Sequence, residues 1–116
     1  MAYDGPTGDH SSFAMAEGAV ASWRARGVAA SKLVLGLPFY GRPGSASYRA
    51  LLAGDPAAAR GDRVVVDGVE VNYNGPATIR RKTELALQVA GGVMIWELSQ
   101  DASGAASLLQ IGRAHV

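Results

Sequence analysis

Two short apolar runs decide what this chain can fold into. Lys32–Phe39 (KLVLGLPF) and Val93–Trp96 (VMIW) are separated by more than fifty residues that are not continuously apolar. Gly36 and Pro38 disfavour a helix in the first run, and an unbroken apolar stretch of that length fits a strand buried on both faces, as parallel sheets require. Around the two runs lie helical patterns. Ser11 or Ser12 can cap a helix whose apolar residues recur at Phe13, Ala16, Val20 and Trp23, with Gly27 as its stop. Pro76 suits the first turn of another, over residues 77–90, which carries Ile79, Leu85, Leu87 and Val89 among charges and ends at Gly91-Gly92. A last helical segment is expected over Ala105–Gln110. Strands alternating with amphipathic helices indicate an α/β fold with parallel strands.

The connection from 41 to 63 is rich in Gly, Ala, Ser and Pro, with a helical turn expected around Tyr48–Ala53. After it, Val64-Val65-Val66, Asp67-Gly68 and Val69-Glu70-Val71 form a strong β-hairpin signal. Two complete strands and the tail of a third, at the start of the chain, cannot close a barrel or fill a sheet. The sequence therefore reads as part of a larger α/β architecture.

Composition removes several classes of function. With no Cys among 116 residues there is no disulfide framework and no thiol chemistry. A net charge of +1 offers no excess to neutralise phosphates, so no nucleic-acid partner is expected. No stretch approaches the roughly 20 apolar residues that span a bilayer, so no membrane association is expected either. His10 and His115 are too far apart to begin a zinc site. Glycine fingerprints for nucleotides and the Gly-x-Ser-x-Gly elbow are absent. Asp9-His10-Ser11 resembles a catalytic triad in letters only, because adjacent side chains cannot adopt its geometry.

What remains is the chemistry at the strand ends. In parallel α/β folds, ligands bind at the carboxyl ends of the strands. Those ends carry Tyr3-Asp4, Tyr40 with Arg42, and Trp96-Glu97. Aromatic rings beside hydrogen-bonding groups suit a sugar, which offers flat C–H faces and equatorial hydroxyls. On position alone each residue also has an ordinary structural reading. Trp96 can be core, Tyr40 and Arg42 rim packing and a solvated charge, Asp4 a turn former, and Glu97 a structural acceptor. Arg80-Arg81-Lys82 reads as a solvated helix face.

At these positions the sequence resembles the chitinases of glycoside hydrolase family 18. The resemblance rests on Met1-Ala-Tyr-Asp4, on Lys32-Leu-Val-Leu-Gly-Leu-Pro-Phe-Tyr-Gly-Arg42 and on Gly91-Gly-Val-Met-Ile-Trp-Glu-Leu-Ser-Gln-Asp101. Asn72-Tyr-Asn-Gly75 and Thr78-Ile-Arg-Arg-Lys-Thr83 also look like bacterial members. It implies the C-terminal part, about strands 6–8, of a (β/α)8 TIM barrel, with a short inserted helical turn and β-hairpin after strand 7. A whole barrel of that kind runs to about 250 residues, so this chain is less than half of one. Residues 1–110 would be a partial catalytic domain. The short insertion would leave a shallower cleft than that of larger members.

The resemblance assigns roles residue by residue. Tyr3 would hold the substrate's N-acetyl group and Asp4 would contact the bound sugars, while Met1 lines the same pocket. Tyr40 and Arg42 would flank the sugar, and Trp96 would floor the subsite where the bond breaks. The substrate would be chitin or chitooligosaccharides, cut at β-1,4-linked N-acetylglucosamine by substrate-assisted retaining catalysis. No cofactor and no metal are implied, and the parent enzyme would be monomeric and secreted. The family's general acid lies in an Asp-x-x-Asp-x-Asp-x-Glu motif that these residues do not contain. Neither Glu84 nor Glu97 stands in that context, so the isolated chain is expected to be inactive. A chitin-binding lectin that has lost the acid, a hydrolase of peptidoglycan or spore cortex, and an independent small α/β domain of structural role are the rival readings.

Ile111-Gly-Arg-Ala-His-Val116 matches, in frame and in full, the translation of a common sequencing adapter. The expectation is that residues 111–116 are an artefact, that native sequence ends at about Gln110, and that His115 has no function.

Overall fold

The computed structural model describes residues 10–114. Helix α1 (Phe13–Ala25) starts where Ser12 Oγ accepts the Met15 amide at 3.2 Å, so Ser12 rather than Ser11 is the cap. Strand β1 (Val34–Pro38) follows, then helix α2 (Tyr48–Gly54), which Ser47 caps. A 3-10 turn at Pro56–Arg60 leads into β2 (Arg63–Val66) and β3 (Val69–Asn72). These two strands pair antiparallel, and Asp67 and Gly68 both take positive φ at the tip. That is the geometry a two-residue Asp-Gly hairpin requires. Helix α3 (Pro76–Val89) begins at its proline, and β4 (Gly92–Trp96) pairs parallel with β1, Val34 opposite Gly92 and Pro38 opposite Trp96.

In a parallel pair, residues opposite one another share a face. Leu35, Leu37, Val93 and Ile95 therefore lie on one side of the sheet, and Val34, Met94 and Trp96 on the other. The first side is covered by helices. Leu37 and Phe39 join Tyr48, Leu51, Ile79 and Leu108 in the main core, while Leu35 packs with Ala16, Val20 and Ala86. Burying a side chain such as Ile79 completely is worth roughly 1.5–3 kcal/mol. β1 agrees with the expectation of a strand buried on both faces from Leu35 to Pro38, Gly36 and Pro38 being buried on the second side, and only Val34 at its start is exposed; β4 differs, with Val93, Met94 and Trp96 exposed.

Two details of the helices correct the sequence reading. The apolar stripe of α3 runs through Ile79, Thr83 and Ala86, and Leu87 is exposed. Lys82 falls on that stripe between Ile79 and Ala86 and is fully buried, so it is not part of a solvated face; Arg80 and Arg81 are exposed. The last helical segment is also split. A 3-10 turn covers Gly104–Ala106, and α4 (Leu108–Arg113) starts anew because Asp101 accepts the amides of Leu108 and Leu109 and the Ser107 hydroxyl. The helix passes without interruption through Ile111 to Arg113, since a capped start and apolar contacts support it whatever the origin of those residues.

The loop between β1 and α2 is tied to the far end of the hairpin. Arg42 and Asn72 exchange backbone hydrogen bonds at 2.8 and 2.7 Å, and Tyr40 bridges Ser47. Residues 43–71 thus leave and rejoin the sheet end through one closed neck.

Candidate functional site

The carboxyl ends of β1 and β4 lie side by side, because the parallel ladder continues past β1 with the Phe39 amide donating to Trp96 O at 2.8 Å. Trp96 ends its strand with 57% of its surface exposed. That is unusual for so large an apolar side chain, and it gives the indole a free face. The peptide bond between Trp96 and Glu97 is cis. Glu97 caps the 3-10 turn Leu98–Gln100: its carboxylate accepts from the Ser99 hydroxyl, and its amide donates to Gln100 Oε1 at 3.2 Å. This agrees with its structural reading.

Tyr40 stands two residues beyond β1 and is buried. One side of its ring meets the His10 imidazole, centroids 5.1 Å apart and planes tilted by 43°. The Arg42 guanidinium lies 5.8 Å from the ring centroid and donates through Nη1 to Gly44 O at 3.2 Å. A cation over an aromatic face is held by the ring's quadrupole, and Arg does this with its plane available for stacking. Gly41 between them is required by packing. A Cβ there would come 2.5 Å from Val71 Cγ1 and 3.2 Å from Asn72 O, so only glycine lets the chain pass the hairpin so closely. Of the residues chosen from sequence, Tyr40, Arg42 and Trp96 are thus brought to one rim. Met1, Tyr3 and Asp4 lie outside the described residues.

Behind this rim is a buried polar group that the sequence reading missed. Asn74, 1% exposed, donates through Nδ2 to the carbonyls of His10 and Ser11 at 3.0 and 3.3 Å. Lys82 Nζ donates to Ser11 O and, at 3.0 Å, to Ser11 Oγ. A polar cavity of about 150 Å³ is lined by His10, Ser12, Asp62, Arg63, Asn72, Tyr73 and Asn74. Asp62 closes the start of α3, accepting from the Gly75 amide at 2.8 Å and the Thr78 hydroxyl at 2.7 Å. The Tyr73 hydroxyl donates to Ala58 O at 2.8 Å. Burial, followed by the nearby Asp62, Tyr48 and Asp55, pushes the Tyr73 phenol up to about 12. The Tyr48 phenol is likewise raised, by burial first and then by Asp101. Both rings serve as neutral donors. The signal for Lys82 was present in the sequence as register: it stands three residues after Ile79 and four before Ala86, on the buried side of α3. His10 and Asn74 gave no comparable signal.

No protein-family model and no curated protein matches the chain. Among solved structures, the chain is similar to the GH18 chitinase ChiB from the chitin utilization locus of Flavobacterium johnsoniae, at 37% identity and a TM-score of 0.86, over 99% of this chain and 40% of that one. It is similar to a chitinase from Bacteroides thetaiotaomicron at 29% identity and a TM-score of 0.77, over 99% of this chain and 42% of that one. A chitinase-like agglutinin from Robinia pseudoacacia shares the fold, at 23% identity and a TM-score of 0.62, over 84% of this chain and 36% of that one. The chain spans about two fifths of the length of the chitinases it matches. Its fit over almost every residue makes the chain similar to part of the GH18 chitinase structures.

Proposed function

We propose that these residues are the substrate-binding side of a chitinase barrel, corresponding to about its strands six to eight, within a longer secreted enzyme that hydrolyses β-1,4-linked N-acetylglucosamine chains. The observation that carries this reading is the exposed indole of Trp96 at the carboxyl end of β4, beside Tyr40 and Arg42 at the end of β1. A flat apolar face next to cationic and hydroxyl donors is what a pyranose ring with an acetamido group needs. In this role Trp96 supports the sugar at the scissile bond, and Tyr40 and Arg42 border it. Tyr3 holds the acetamido group in line for attack by its own carbonyl oxygen on the anomeric carbon, a positioning effect. Asp4 and Met1 complete that pocket.

The general acid is contributed by sequence other than these 116 residues, which contain no Asp-x-x-Asp-x-Asp-x-Glu motif. The isolated chain is accordingly expected to leave a chromogenic chitobioside intact, and the full-length protein to cleave it. Detectable turnover by the isolated chain would refute the first statement. A full-length protein that binds chitooligosaccharide without cleaving it would instead be a lectin of the same fold, the reading favoured by the shared fold of the agglutinin. Activity on peptidoglycan but not chitin in a substrate panel would move the enzyme to the wall hydrolases. We also propose that residues 111–116 are adapter-derived; long-read sequencing through Gln110 that returns the same six residues would refute this.

A further inference from the structure

The buried polar group behind the rim has more hydrogen-bonding machinery than a turn into a helix needs. Ser11 is fully buried and adopts φ 48°, a left-handed backbone that a residue other than glycine takes only when its surroundings enforce it. The enforcement is visible. Lys82, itself without exposed surface, holds both the carbonyl and the hydroxyl of Ser11, and Asn74 holds the carbonyls of His10 and Ser11. A buried cation and a buried amide that hold these carbonyls and the Ser11 hydroxyl favour one conformation of this turn, because any other would break those hydrogen bonds in a low dielectric. That conformation sets the His10 imidazole, 2% exposed, against the Tyr40 ring, which the Arg42 guanidinium also approaches. The contacts form one unbroken series from α3 to the rim.

We propose that Lys82 and Asn74 form a clasp that fixes the His10–Ser11 turn, and that His10 is thereby a positioning residue for Tyr40 in oligosaccharide binding. The inference rests on the sugar-binding reading given above. It assigns His10 no proton transfer; the ring acts as a planar stop that limits Tyr40 to one orientation.

The test is a double-mutant cycle in the full-length protein, with calorimetric affinity for the N-acetylglucosamine tetramer and thermal melting measured on each variant. His10→Ala should weaken binding about two- to tenfold, the range for loss of one aromatic pair. His10→Phe should restore most of it by restoring a planar ring. In a Tyr40→Ala background, His10→Ala should cause no further loss, whereas a purely structural effect would multiply with that of Tyr40→Ala. Should His10→Ala not fold, His10→Leu, which fills the space without a planar face, takes its place in the cycle. Wild-type affinity in the folded His10 variant, or independent effects of the two substitutions, overturns the positioning role while the sugar-binding reading stands. A folded wild-type protein that does not bind the tetramer overturns both.

Discussion

At the scale of single residues, exposure separates binding from stability. Trp96 touches little of the described core, so Trp96→Ala should change folding free energy by no more than about 0.5 kcal/mol. Its effect on the full-length protein should be on affinity for chitooligosaccharide, a loss of about tenfold or more, as expected for an aromatic anchor. Calorimetric binding alongside thermal melting checks both halves. Tyr73 shows the opposite case. Its phenol titrates at about 12 when folded, and at about 10 when unfolded. Between those values the unfolded chain gives up the proton while the folded one keeps it, so stability should fall as pH rises through that window. Urea unfolding at about pH 9 and about pH 11 should show the decline, and Tyr73→Phe should be flatter across it.

At the scale of elements, two helix starts draw on a carboxylate outside the local cap. Asp62 caps α3 across thirteen residues, and Asp101 starts α4 from beyond a 3-10 turn. Asp62→Ala should destabilise the protein by about 1 kcal/mol, read by chemical denaturation. Gly75, at the cap itself, leaves no room for a side chain: a Cβ would sit 2.0 Å from Gly61 O. Gly75→Ala should therefore destabilise by more than 2 kcal/mol, roughly the level at which a named steric cause is needed, and it should do so without Asp62 being changed. The elements themselves were largely legible from local pattern. Asp-Gly between β-branched triplets marked the hairpin, Pro76 marked the first turn of α3, and Gly91-Gly92 its end. What local pattern could not show was the partner on the other side of a contact. Lys82 looked like one of three surface charges, because acceptors it meets when buried belong to Ser11, seventy-one residues earlier. His10 looked like a loop residue for the same reason. Tyr40, Arg42 and Trp96 were found because strand ends are predictable from strand positions, whereas the support behind them depends on tertiary packing.

At the scale of the whole molecule, β1 is buried on both faces from Leu35 to Pro38, whereas β4 is exposed at Val93, Met94 and Trp96. Val34, Val93 and Met94 leave apolar surface beside unpaired strand edges, which in isolation favours association over solution. The isolated chain should bind a hydrophobic dye and melt without a sharp transition, and the full-length protein should do neither. A cooperative, dye-silent isolated chain would mean that this surface is content with water. Among the described residues no helix is long and apolar enough to cross a membrane.

The closed neck between Arg42 and Asn72 has a consequence for how this fold can be changed. Because two backbone hydrogen bonds seal the point where residues 43–71 leave the sheet end, extra length added at the Asp67-Gly68 tip exerts no pull on β1 or β4. The tip is thus a permissive socket: lineages could lengthen it into a taller wall, and an engineer could graft a second module there, without re-tuning the rim below.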